Sequence, residues 1–155
     1  KLINLSAKEI YSLKSVKEIL VPFKKEKHVE LIALVQERLK TLNDLREELA
    51  FVQKTFPYDD KVLKKLMDKN PITILENIKK TISEGENDDS IRGKIMAWSK
   101  ENNIPMGELM QSFRLALVGR LSGPDIFKIC SVLGKGLTLK RIEGLIDYIK
   151  LKKTI

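Results

Sequence analysis

The stretch Met106–Lys140, MGELMQSFRLALVGRLSGPDIFKICSVLGKGLTLK, decides the fold. Leu109, Phe113, Ala116 and Leu117 recur at helical spacing, and so do Ile126, Ile129, Cys130 and Leu133. Two apolar helices of roughly ten residues each are expected, joined by the turn Leu121-Ser122-Gly123-Pro124. Pro124 should open the second helix, because proline is pre-organised for the first helical position. Gly134 and Gly136 can end it in a left-handed conformation. Arg114 and Arg120 lie on or beside the turn, so the hairpin presents cations at fixed positions.

Outward from the hairpin the same periodicity continues. Ser6-Ala7-Lys8-Glu9 is a capping box, with Ile10 and Leu13 inward on the helix it starts. Val16 to Phe23 is a further short helix. Glu26 to Leu39 is an amphipathic one through Val29, Ile32, Ala33, Gln36 and Leu39. Thr41-Leu42-Asn43-Asp44 caps a helix with Leu45, Leu49 and Val52 inward, and Phe56-Pro57-Tyr58-Asp59 turns the chain. Asp59 or Asp60 caps a helix through Val62, Leu63, Leu66 and Met67; Asn70-Pro71 caps the next. Ser90 caps a helix through Ile91, Ile95 and Trp98, and Thr138 caps the last, through Ile142, Leu145, Ile146 and Ile149. No run alternates as a strand would, so an all-α fold of about nine helices is expected. The polar loop Gly85-Glu86-Asn87-Asp88-Asp89 is the expected boundary between two helical lobes, 1–87 and 88–155.

At 155 residues the chain holds one domain or two small ones, and 43% hydrophobic content is enough for a core. The net charge of +8 points to a polyanionic partner, nucleic acid before an acidic membrane surface. One Cys and one His cannot build a Cys/His zinc site, and one Cys permits no internal disulfide, which fits a reducing cytoplasm. Cys130 reads as a buried structural thiol; His28, in the run Lys24-Lys25-Glu26-Lys27-His28, reads as exposed. No apolar run approaches the roughly 20 residues that span a bilayer, and no secretory signal is present. A start at Lys1 rather than Met reads as an excised piece of a longer protein. The loop at Gly85–Asp89 lacks calcium-binding spacing. Phosphate-cradling, dinucleotide-binding and nucleophile-elbow motifs are absent. Neither a catalytic residue nor a metal site is expected, and binding remains.

Arginine is scarce, six against 23 lysines, so Arg38 and Arg114 stand out: a guanidinium is a planar fork of donors, whereas an ammonium is a point charge. Leu34-Val35-Gln36-Glu37-Arg38-Leu39-Lys40-Thr41-Leu42-Asn43-Asp44-Leu45 resembles the arginine-bearing helix in the anticodon-binding region of bacterial-type glutamyl-tRNA synthetases. Phe113-Arg114-Leu115-Ala116-Leu117-Val118-Gly119, then Gly123-Pro124-Asp125-Ile126-Phe127 and Leu133-Gly134-Lys135 to Arg141-Ile142, resembles that family's C-terminal block in order and spacing. Ser112-Phe113 stands for the family's Pro-Leu, Val118 for Thr, and Gly123 for a residue that can be Thr.

The resemblance implies the all-helical, two-lobed anticodon-binding part of a class I ligase that joins glutamate to its tRNA with ATP and magnesium. The catalytic fold would lie upstream. This chain would hold no catalytic site and no cofactor, and would bind the anticodon arm of glutamate tRNA as a cytoplasmic monomer. The resemblance also places anticodon contacts on Arg38, Arg114, Pro124 and Ile126. Arg38 suits the task. Cytosine presents acceptors at N3 and O2 to a guanidinium, while guanine presents donors there, so glutamate and glutamine anticodons differ by roughly 1–3 kcal/mol at that base. Unpaired loop bases are accessible to such reading. The competing expectations are a helical protein–protein adaptor with an incidentally basic surface and a basic peripheral membrane domain, the latter weakened by the lack of a suitable amphipathic face.

Overall fold

Large apolar residues at helical spacing produce helices throughout a computed structural model that describes residues 5–50, 57–85 and 87–154. Among the described residues there are ten α-helices, two short 3-10 helices and no strand. The chain divides into two compact units, Lys1–Phe56 and Pro57–Ile155. The expected inward Val52, the turn at Phe56 and the loop residue Glu86 lie outside the described residues.

The first unit contains α1 (Ala7–Tyr11), α2 (Lys14–Leu20), α3 (His28–Val35) and α4 (Leu42–Glu48). Ser6 and Glu9 close the expected capping box at α1, with Glu9 N donating to Ser6 Oγ at 3.2 Å and Ser6 N donating to Glu9 Oε1 at 3.0 Å. Helix α1 packs on α3, and α2 on α4. Ile10, Val16, Leu20, Leu31, Ile32, Val35, Leu39, Leu45 and Leu49 form the core.

Several expectations fail in this unit: α1 ends at Tyr11, so Leu13 is instead the cap of α2, and α2 ends at Leu20 rather than Phe23. The inward face of α3 is His28, Leu31, Ile32 and Val35, whereas Ala33 is exposed. Turning the helix this way buries three bulky aliphatic side chains instead of the small Ala33, which removes more apolar area from water. His28 is buried, not exposed. Its Nε2 donates to the Phe23 carbonyl at 2.9 Å and its Nδ1 is hydrogen-bonded to Tyr11 Oη at 3.0 Å. Both ring nitrogens are satisfied, so the interior accepts a polar ring.

The second unit contains α5 (Asp60–Met67), α6 (Pro71–Glu84), α7 (Asp88–Glu101), α8 (Met106–Val118), α9 (Ile126–Leu133) and α10 (Lys135–Thr154). Helix α8 is its centre: it packs on α5, α6, α7, α9 and α10. Seven of its thirteen residues are buried, Phe113 completely. The expected boundary loop at 85–89 joins α6 to α7 inside this unit; α6 packs on α7, α8 and α10, and the division falls at 56/57.

Several helix starts also move. Asn87 rather than Ser90 caps α7, its side-chain oxygen accepting from Ser90 N at 2.8 Å. Asp59 caps α5. Pro71 opens α6 as expected, but Asn70 takes a left-handed conformation (φ 52°) and its side chain does not cap. Pro124, expected at the first helical position of α9, lies just before the helix, which starts at Ile126 with Asp125 as its cap. Helix α10 starts at Lys135, immediately after Gly134 (φ 84°), so Gly136 and Thr138 lie inside it and Thr138 caps nothing.

Candidate functional site

Arg38 sits on a 3-10 turn, Gln36–Arg38, that follows α3. Buried Leu39 anchors the end of the turn. Gln36 Nε2 donates to the Leu5 carbonyl. The Asp44 carboxylate then clamps the corner into α4 by accepting from Lys40 N at 2.8 Å and Thr41 N at 3.0 Å. Those two backbone bonds hold the Asp44 carboxyl below its ordinary value of 3.8. Arg38 Nε donates to Glu48 Oε2 at 2.9 Å, with 39% of the arginine side chain exposed. The guanidinium is thus oriented from one edge and open on the rest.

Arg114 belongs to the other unit, 76 residues on. It is half-buried on α8 between two fully buried neighbours, Phe113 and Leu115. Helix α8 ends at Gly119 (φ 77°), whose N–H donates to the Leu115 carbonyl at 3.0 Å. Arg141, itself buried, donates from Nη1 to the Leu117 carbonyl at 2.8 Å. Burial brings its pKa down to about 10, so it stays a cation at neutral pH and complements the negative end of α8. Asp59 N donates to the Gly119 carbonyl at 2.8 Å. The helix that carries Arg114 is therefore closed by three bonds before the chain turns.

In that turn Gly123 has φ 149°, and a Cβ there would lie 3.4 Å from Arg114 Nη1. A side chain there would be strained by the backbone and would sit in van der Waals contact with the guanidinium, so glycine suits this turn although the family pattern allows Thr. Pro124 is half-buried. Asp125 Oδ1 accepts from Phe127 N at 2.8 Å and Lys128 N at 3.4 Å, starting α9. Ile126, expected to touch bases, is 0% exposed: its side chain anchors α9 in the core and leaves no surface for a base. Arg114, Gly123, Pro124 and Ile126 are thus brought together at one turn; Arg38 is in the separate unit.

Sequence reasoning missed Arg92. Its guanidinium lies over the Phe127 ring, 4.6 Å from the centroid, and its Nη2 is 3.4 Å from Asp125 Oδ2. Its rarity as an arginine was the available signal. Exposed lysines accompany these residues: Lys61, Lys64, Lys65 and Lys69 on and after α5, and Lys150, Lys152 and Lys153 on α10.

Cys130 lines a cavity of about 270 Å³ with Ile82, Ile91, Phe127 and Thr138, and burial pushes its thiol up to about 12, far from a thiolate at neutral pH. Among the described residues no three His, Cys, Asp or Glu side chains are grouped to hold a metal, and no helix is long and apolar enough to cross a membrane.

A family model described as an anticodon binding domain matches residues 11–146. Glutamate–tRNA ligase 2 of Thermoanaerobacter pseudethanolicus is 32% identical over 155 aligned residues, covering 90% of this chain and 32% of that protein. Glutamate–tRNA ligase of Flavobacterium psychrophilum is 34% identical over 125, covering 76% and 24%. The crystal structure of a glutamate tRNA ligase from Elizabethkingia meningosepticum superposes with a TM-score of 0.84 at 26% identity, over 96% of this chain and 30% of that one. The chain therefore spans about a third or less of the length of these relatives.

Proposed function

The chain belongs to the anticodon binding domain family, and from that premise we propose that it holds the anticodon of glutamate tRNA for a glutamate–tRNA ligase. One observation carries the reading: the Arg114 guanidinium is set against Gly123 in the turn leading to Pro124. A cation fixed at a half-buried turn can bond an unpaired base edge without first being ordered.

In this reading Arg38 selects the last anticodon base. Its donors match cytosine N3 and O2, whereas the corresponding positions of guanine, N1–H and the N2 amino group, are themselves donors. Arg114 and Pro124 hold the neighbouring bases, with Ile126 as the packed support beneath them. The exposed lysines of α5 and α10 contact phosphates, which makes affinity fall steeply with salt. The parent enzyme acts in the cytoplasm as a monomer. ATP and magnesium serve its catalytic part.

The test is a titration of the chain with anticodon stem-loops ending in cytosine or guanine, at two salt concentrations. Tighter binding of the cytosine loop, weakened by salt, is expected. Replacing Arg38 by Gln should remove roughly 1–3 kcal/mol of that preference. Equal affinity for both loops would instead fit a helical adaptor whose charge is incidental.

A further inference from the structure

We propose that Arg92 is a second kind of RNA contact in this domain, a guanidinium plate on which one unpaired base of the bound loop stacks. The proposal rests on the anticodon reading above and adds a residue to it.

The plate is built from below. Phe113 is fully buried on α8, and the Phe127 ring stands edge-on to it, 5.9 Å between centroids at 82°. Phe127 is thereby fixed, and the Arg92 guanidinium lies over it at 4.6 Å. Asp125 completes the support by dividing its two oxygens. Oδ1 accepts from the first amides of α9, and Oδ2 pairs with Arg92 at 3.4 Å. Arg92 on α7 is thus tied to the residue directly after Pro124, beside the turn that touches Arg114.

Charge decides which part of a nucleotide the plate suits. The Asp125 carboxylate offsets the arginine's charge, which weakens attraction for a phosphate. It leaves the delocalised plane intact, and half of the Arg92 side chain is exposed. A plane supported on one side and open on the other fits the π-face of a base, the surface on which loop nucleotides splayed from their stack are held. Lysine could not replace it, because an ammonium has charge without a plane.

The experiment compares the wild-type chain with Arg92→Lys, Arg92→Ala and Phe127→Leu. Each is titrated with glutamate anticodon stem-loops carrying 2-aminopurine at successive loop positions, across a salt series. In the wild type, one position should be quenched on binding. Arg92→Lys should abolish that quench and weaken binding about tenfold, equal to about 1.4 kcal/mol, within the range of a base–aromatic stack. The slope of affinity against salt should not change, and Arg92→Ala should lose as much as Arg92→Lys. Phe127→Leu should weaken binding in the same direction with its charge unaltered. Wild-type affinity and quench in Arg92→Lys, with a salt slope smaller by about one in Arg92→Ala, would make Arg92 a phosphate contact and overturn the stack. Unchanged binding in all variants would overturn it too. A wild-type chain that binds none of the loops would overturn the anticodon reading itself.

Discussion

Arg38 and Arg114 present the same guanidinium on opposite kinds of support. Arg38 stands on three residues of 3-10 helix and is oriented by a partly buried partner, Glu48. Arg114 stands in a thirteen-residue α-helix between fully buried neighbours, with its Nη1 against a glycine that admits nothing larger without strain. Hydrogen bonds, to Glu48 at the guanidinium and to backbone through the turn, orient the first, whereas packing encloses the second. The difference teaches where each can fail. A packed support fails by cavity or clash and takes the fold with it, whereas a hydrogen-bonded one loses orientation while the core stays whole.

The largest expected effect breaks the packed side. Phe113→Ala removes a fully buried ring that meets Phe127 edge-on. It should cost about 3–5 kcal/mol of stability, read from urea denaturation, and should weaken RNA binding because the Arg114 turn loses its floor. A loss below about 1 kcal/mol would mean that the site collapses around the gap and that Arg114 is not held by packing. Next is Gly123→Thr, which restores the residue the family pattern allows. At φ 149° and 3.4 Å from Arg114 Nη1 it should cost roughly 1–3 kcal/mol. If it instead raised both stability and affinity, a gained hydroxyl contact would outweigh the strain.

The packed side was also the side legible in the sequence. Leu109, Phe113, Ile126 and Ile129 are large, regularly spaced and buried, so periodicity alone located the hairpin. Its details were less legible, because caps are chosen among residues of equal competence. Asn87 and Ser90 both carry a capping oxygen, and in the structure Asn87 takes the cap and Ser90 donates its N–H to it. His28 was misread from its charged neighbours in sequence, since its real partners, Tyr11 and Phe23, come from other turns. At the candidate site, Arg38 and Arg114 were singled out from composition and placed by resemblance. Arg92 was not, because the feature that distinguishes it is a ring and a carboxylate 33 or more residues away. Ile126 was assigned a surface role that burial denies it.

A smaller effect sharpens the hydrogen-bonded side. Glu48→Gln removes the acceptor charge that orients Arg38 but keeps a side chain of similar size. Stability should change by less than about 0.5 kcal/mol, as for exposed ion pairs. Total affinity for RNA should rise, because one acidic charge is gone near a polyanion. Discrimination between cytosine and guanine loops should nevertheless fall by about threefold, corresponding to about 0.6 kcal/mol. A rise in affinity with full discrimination would show that Glu48 only competes for Arg38 and does not aim it.

The smallest effect asks whether charge contributes to the clamp behind Arg38. The Asp44 carboxyl lies below 3.8 in the folded chain because Thr41 and Lys40 backbone N–H groups bond its ionised form. A group with a depressed folded value stabilises the fold above its unfolded value, and the gain is lost as pH falls through the folded one. Asp44→Asn keeps a carbonyl that can accept one of the bonds but cannot titrate. The stability gap between wild type and this variant should therefore be constant from neutral pH down to about 4 and close below it. Glu9 and Glu143, whose values are lowered by Ser6 and Lys79, are common to both proteins and cancel in the difference. A gap that stays open in acid would place the worth of Asp44 in the geometry of its bonds rather than its charge. The Arg38 turn would then be fixed by the shape of its bonds rather than by their charge.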